Sequence, residues 1–138
     1  MAPKGQPLSI RLSREAQLII DEERRRTGRS RSAVVEELAE EAAKTRRFPG
    51  IGFRGPEPRR PWVIGSGLDV WEIAEMLGDF GSVEKLLQQT HVTERDVRLA
   101  NAYTEAYPDE VEQALAENRR STEELRELYP FVQAPSRR

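Results

Sequence analysis

Pro7-Leu8-Ser9-Ile10-Arg11-Leu12-Ser13, followed by Thr27-Gly28-Arg29-Ser30-Arg31-Ser32-Ala33-Val34, decides the fold of the first third of the chain. In the first stretch Leu8, Ile10 and Leu12 alternate with Ser9 and Arg11, which is the two-residue period of a half-buried strand. Ser13 is placed to cap a helix in which Ala16, Ile19, Ile20 and Thr27 fall near one face, and Gly28 ends it. Ser30 caps a second helix, where Val34, Val35, Leu38, Ala39, Ala42 and Ala43 make an apolar stripe opposite Glu36, Glu37, Glu40 and Glu41. A lone strand leaves its backbone N–H and C=O groups without partners, and no second strand of matching pattern lies in the first half. The cheapest partner is the same strand of a second copy, giving a two-stranded antiparallel ribbon across a twofold axis.

These residues, L-S-I-R-L-S and then T-G-R-S-R-S-A-V, resemble the ribbon-helix-helix family of DNA-binding repressors over residues 6–45. The resemblance implies one strand and two helices per copy, intertwined as a dimer, with the ribbon on DNA. One departure is that the later turns of the first helix, Asp21 to Arg26, are nearly all charged. The core of a single copy is then thin, which puts more weight on dimerisation. In a paired ribbon, Ser9 and Arg11 project from the polar face toward the major groove, where an Arg bonds guanine twice and a Ser bonds several bases. At the start of the second helix, Arg29, Ser30, Arg31 and Ser32 are placed for a phosphate contact, because free N–H groups and the helix dipole favour an anion there. An ordinary N-cap accounts for Ser30 equally well. Arg24, Arg25 and Arg26 read as a solvated face paired with Asp21, Glu22 and Glu23 one turn back.

Composition narrows the function classes. The chain has 138 residues, with 22 Lys+Arg, 24 Asp+Glu, one His and no Cys, so disulfides, thiol catalysis and cysteine-ligated zinc are excluded. His91 by itself builds no metal site and reads as a turn residue. No apolar run approaches the roughly 18 residues of a membrane span, and MAPKGQP lacks the apolar core of a signal peptide. The expectation is a cytoplasmic chain with no membrane partner. Its mean hydropathy of −0.71 calls for an economical core or a partner. Charge divides the chain: residues 1–62 carry 14 Lys+Arg and 9 Asp+Glu, net +5, and residues 63–138 carry 8 and 15, net −7. The first half is suited to a polyanion, whereas the second would be repelled by one.

Residues 46–67, RRFPGIGFRGPEPRRPWVIGSG, predict a hairpin of two short strands, one with Ile51 and Phe53 and the other with Trp62 and Ile64, joined by a Gly55–Arg60 loop. From Leu68 the pattern is helical. Asp69 and Glu72 form a capping box before Trp71, Ile73, Ala74 and Leu77, with Gly78 as terminator. Ser82 opens a short helix carrying Val83, Leu86 and Leu87, Thr93 another carrying Val97, Ala100, Tyr103 and Tyr107, and Pro108 a fourth carrying Val111, Ala114 and Leu115. A further short helix is expected over 123–128, then Tyr129-Pro130-Phe131-Val132 and a polar end. Trp62 and Trp71 read as core.

The stretches R-F-P-G-I-G-F, R-R-P-W-V-I-G-S-G-L-D-V-W-E-I, T-E-R-D-V-R-L-A-N-A-Y and Y-P-D-E-V-E-Q-A-L-A-E-N-R resemble a VapB-type family of small antitoxin domains, over about residues 47–120. The resemblance implies a helix-turn-helix-like unit encoded beside a PIN-like ribonuclease toxin. The helices around Thr90-His91-Val92-Thr93 have that spacing, and Arg95 and Arg98 lie on the second of them. With Glu94, Asp96 and Glu105 on the same helix and a net charge of −7 over residues 63–138, protein binding is the expected role there. Tyr129, Phe131 and Val132 sit in a Pro-containing tail with nothing obvious to pack against, the pattern of a partner-binding segment and here the toxin-binding candidate.

No phosphate loop, H-E-x-x-H or nucleophile elbow occurs, so no catalytic residue, metal ligand or cofactor is expected, and no enzyme. The fold expectation is mainly α. A ribbon-helix-helix DNA-binding and dimerisation domain (1–46) precedes a β-hairpin plus four-helix, helix-turn-helix-like domain (47–120) and a partner-binding tail (121–138). The functional expectation is the antitoxin of a type II pair, a homodimer or higher assembly that binds double-stranded operator DNA to repress its own transcription and neutralises a ribonuclease through its acidic half. The alternative is a stand-alone regulator whose second domain oligomerises or senses a ligand; a pure scaffold would require the ribbon face to be inert.

Overall fold

The computed structural model describes residues 5–131. The chain divides into two compact units, residues 1–42 and 43–138. Within the described residues there are six helices and a small antiparallel three-stranded sheet, and every strand follows the second helix.

In the first unit, residues 5–13 carry no strand within the single chain, so the expected ribbon strand has no partner there. Helix α1 (Arg14–Thr27) begins where Ser13 accepts from the Ala16 amide at 3.1 Å. It ends at Gly28, whose φ of 71° lets its N–H reach the Arg24 carbonyl. Helix α2 (Arg31–Arg47) follows, with Ser30 Oγ accepting from the Ala33 amide at 3.1 Å. Of the expected apolar positions only Ile20 and Val34 are buried. Ile19 and Leu38 are exposed, as are Ala39, Ala42 and Ala43. The stripe expected on α2 is present in sequence, but Leu38, Ala39, Ala42 and Ala43 are exposed.

The second unit has a true core. Strands β1 (Ile51–Arg54) and β2 (Arg60–Val63) pair as Ile51↔Val63 through Arg54↔Arg60, the expected hairpin with Arg60 opening β2 rather than ending the loop. Ile64 falls just past β2 and is half exposed. A third strand, β3 (Leu68–Asp69), was not foreseen; it pairs Trp62↔Asp69 and Val63↔Leu68. Because side chains alternate across a strand, Ile51, Phe53, Pro61, Val63 and Leu68 share one face, while Gly52, Arg54, Arg60, Trp62 and Asp69 share the other.

Four helices complete the unit. Helix α3 (Val70–Phe80) is capped by Asp69, whose amide donates to Glu72 Oε1 at 3.0 Å. Its end is Gly81, φ 77°, and not Gly78, which is helical. The extra turn carries Phe80 to the cluster formed by Leu86, Val92 and Val97, and that burial outweighs the roughly 1 kcal/mol cost of an internal glycine. Helix α4 (Val83–Gln89) starts at Ser82, and α5 (Glu94–Ala106) starts in a capping box of Thr93 and Asp96. Tyr107 is the cap of α5 rather than a residue of its face. Helix α6 (Pro108–Leu128) runs unbroken, so the separate short helix over 123–128 does not exist. Thr122 there bonds back to the Asn118 carbonyl at 3.0 Å, a side-chain geometry of a residue inside a helix, not of a cap. Ile51, Val63, Val70, Ile73, Ala100, Tyr103 and Val111 form the main core.

Candidate functional site

The DNA-contact candidates of the first unit fall into two groups. Ser9 and Arg11 are exposed on the segment before α1, and Leu8 and Ile10 beside them are 82% and 55% exposed. Leu12 is half buried, and Ile10, Arg11, Leu12, Gln17, Ile20 and Arg31 line a shallow groove of about 360 Å³. The second group surrounds the α1–α2 turn. Asp21, Arg24, Arg25, Gly28, Arg29 and Arg31 line an open cleft of about 510 Å³. Arg24 and Arg25 therefore belong beside Arg29 and Arg31, a grouping the helical pattern of α1 did not suggest.

That cleft is not an empty anion cradle. Arg29 Nη1 donates to Glu37 Oε2 at 3.0 Å and its Nη2 to the Ala33 carbonyl at 3.3 Å. Arg31 Nη2 donates to Asp21 Oδ1 at 3.3 Å, and Arg24 lies 3.5 Å from the same oxygen. Arg26 pairs with Glu23 at 2.6 Å, as expected of the charged face. Ser30 spends its hydroxyl oxygen on the helix cap, and Ser32 is exposed. Arg29 is thus anchored to Glu37 and Arg31 to Asp21, and Arg25 is exposed beside them.

In the second unit one carboxylate organises the outer face of the sheet. Asp69, with its side chain only 3% exposed, accepts from Arg54 Nε at 2.8 Å on Oδ1. On Oδ2 it accepts from Arg60 Nε at 2.7 Å and Trp71 Nε1 at 3.2 Å. Arg54 also donates to the Gly67 carbonyl at 3.0 Å, and its guanidinium lies 4.6 Å from the Trp62 ring centre. The sequence marked Asp69 only as a helix cap; its arginines lie 9 and 15 residues away and become neighbours through the strand register. Trp71 is half buried and packs against the main core as well as this network, whereas Trp62, expected in the core, is half buried on the outer face beneath Arg54.

A second polar network joins α2, α5 and α6 inside this unit. Tyr103, fully buried, donates to Glu110 Oε1 at 2.8 Å, and Lys44 Nζ sits 3.4 Å from Glu110 Oε2 and 4.5 Å from the Tyr107 ring centre. Burial above all, and then the Glu110 charge, push the Tyr103 hydroxyl pKa far up. This arrangement positions α2, α5 and α6 against one another.

The α4–α5 turn places His91 as expected, exposed, with Nε2 3.0 Å from the Ser66 carbonyl oxygen. Arg95 and Arg98 are exposed on α5, and Arg95 lies against Gly50, where a Cβ would meet Nη2 at 2.7 Å. Asp96 is turned inward on the Thr93 amide, at 3.0 Å. Beyond α6, Phe131 is 80% exposed and packs edge-on against Tyr129 with ring centres 5.9 Å apart. Leu125 and Leu128 are exposed beside them. Val132 lies outside the described residues.

The unit boundary relocates the basic charge. Residues 1–42 hold eight Lys+Arg and eight Asp+Glu, so the first unit is neutral. The surplus belongs to residues 43–62, with six Lys+Arg against Glu57, net +5. It sits on the end of α2 and on the hairpin.

Among the described residues no group of His, Asp and Glu is placed to hold a metal, and no helix is long and apolar enough to cross a membrane. Comparison with protein-family models, with curated proteins and with solved structures gives no match for this chain.

Proposed function

We propose that the chain is a dimeric DNA-binding antitoxin that represses its own transcription and neutralises a ribonuclease. The observation that carries the reading is the uncovered apolar surface of the first unit. Leu8, Ile10, Leu18, Ile19 and Leu38 are all exposed, on a unit whose fully buried apolar residues are Ile20 and Val34. Monomeric proteins rarely leave so large a share of a small unit uncovered. A second copy laying its own residues 7–13 antiparallel to these would pair the backbone and bury Leu8 and Ile10 together. Arg11 and Ser9 would then stand in duplicate on the ribbon's outer face, at the right scale for a major groove.

The toxin-binding half of the reading is supported by the net −7 of residues 63–138 and by the exposed Leu125, Leu128, Tyr129 and Phe131. A ribonuclease attracts phosphate with a basic cleft, so an acidic module is steered to it, and aromatic anchors supply apolar burial. Co-purification of the full chain with the product of the neighbouring reading frame, assayed for ribonuclease activity, tests this. Inhibition supports the antitoxin. A neighbour that is neither bound nor inhibited, with DNA binding intact, favours the stand-alone regulator.

A further inference from the structure

We propose that Arg54 and Arg60, aligned by the buried Asp69 on the outer face of the hairpin, form a phosphate site that takes phosphodiester groups of duplex DNA. The site is separate from the ribbon, and the choice of duplex DNA rests on the reading of the chain as a DNA-binding protein.

Three observations point there. First, Asp69 needs one cation for neutrality and has two, each held through Nε at 2.8 and 2.7 Å. The pair keeps a net positive charge on side chains that are 34% and 47% exposed. Second, the guanidinium groups are held in place. Arg54 is fixed by Asp69, the Gly67 carbonyl and the Trp62 ring, and Arg60 by Asp69 and by lying over Gly55, where a Cβ would meet Nη1 at 2.8 Å. Holding them by Nε leaves Nη1 of Arg54 and both terminal nitrogens of Arg60 as donors, the forked geometry that a phosphate oxygen pair accepts. An arginine already ordered gives up less conformational freedom on binding. Third, residues 43–62, which include this hairpin, hold six Lys+Arg against Glu57, whereas residues 1–42 are neutral; Asp69 is shared by two of those cations and Glu110 pairs with Lys44. A concentrated run of cations suits a regular polyphosphate and its released counterions.

The test uses the full chain and a short random-sequence DNA duplex. Arg60→Gln keeps Asp69 paired with Arg54 and is expected to weaken binding about eightfold at 0.1 M salt and to lower the log–log salt slope by about one. Titrating the unmodified chain with the same duplex, the Nε–Hε NMR signals of Arg54 and Arg60 are expected to shift, a readout that needs no variant to fold. Binding and slope unchanged in a folded Arg60→Gln overturn the proposal. So do signals that stay still while the complex forms, or that move with poly-glutamate and not with DNA. If instead the signals move with random duplex while no operator is selected, the ribbon reading fails and this site stands.

Discussion

Tyr103 donates its hydroxyl proton to Glu110 across the α5–α6 contact at 2.8 Å, and both oxygens of that carboxylate are occupied because Lys44 approaches the other at 3.4 Å. Within the second unit, Glu110 joins the last turns of α2 to α5 through Lys44 and Tyr103. The consequence is a pH dependence. The Tyr103 pKa in the folded chain is raised above the ordinary value of 10.0, so the native state holds its proton where the unfolded chain loses it. The stabilisation is complete below about pH 10 and declines as pH rises above it. Tyr103→Phe is expected to lower stability at pH 7 by about 1 kcal/mol and to flatten the fall above pH 10, measured by urea unfolding across pH. An unchanged alkaline slope contradicts the assignment.

Asp69→Ala removes the acceptor for three donors and leaves two guanidinium groups facing each other. The expected loss is about 3 kcal/mol, read as a shift in the denaturant midpoint. A loss below about 0.5 kcal/mol would mean that the arginines do not hold the hairpin in solution.

The local signals were the legible ones. Ser13, Ser82 and Thr93 cap helices because a hydroxyl three residues before a free N–H is a short-range geometry, visible in sequence. The hairpin was legible because Phe53 and Trp62 flank a Gly- and Pro-rich loop. The Asp69 cluster was not, since Arg54, Arg60 and Trp71 meet it only once β1, β2 and β3 are in register. Gly78 misled because its neighbours decide whether a turn continues, and Phe80 has a core to enter. Residues 7–13 keep the strand pattern without a strand, as an alternating segment does when no partner strand is beside it.

Dimerisation through the first unit makes a sharp prediction at Ile10, which is 55% exposed in the single chain. Ile10→Glu is expected to give a monomer by sedimentation equilibrium, near 15.8 kDa, with the first unit loosened, where the parent chain sediments at twice that mass or more. An Ile10→Glu chain of unaltered mass and stability would place any dimer contact elsewhere.

Phe131→Ala is expected to weaken binding of the neighbouring nuclease by about 2 kcal/mol, chiefly through faster dissociation, while added salt slows association through the acidic surface. Calorimetry and stopped-flow kinetics separate the two. Equal affinity for both chains would remove the tail from the interface.

The most direct test of the DNA-binding dimer is a footprint of the full chain on the DNA immediately upstream of its own coding sequence, set against random DNA at the same salt. The expected result is a protected site made of two symmetry-related half-sites, lost with Arg11→Ala while random-sequence binding persists, and weakened on all DNA with Arg31→Ala. Protection no stronger than on random DNA, or a half-site pattern that survives Arg11→Ala, would contradict the ribbon as the element that reads sequence.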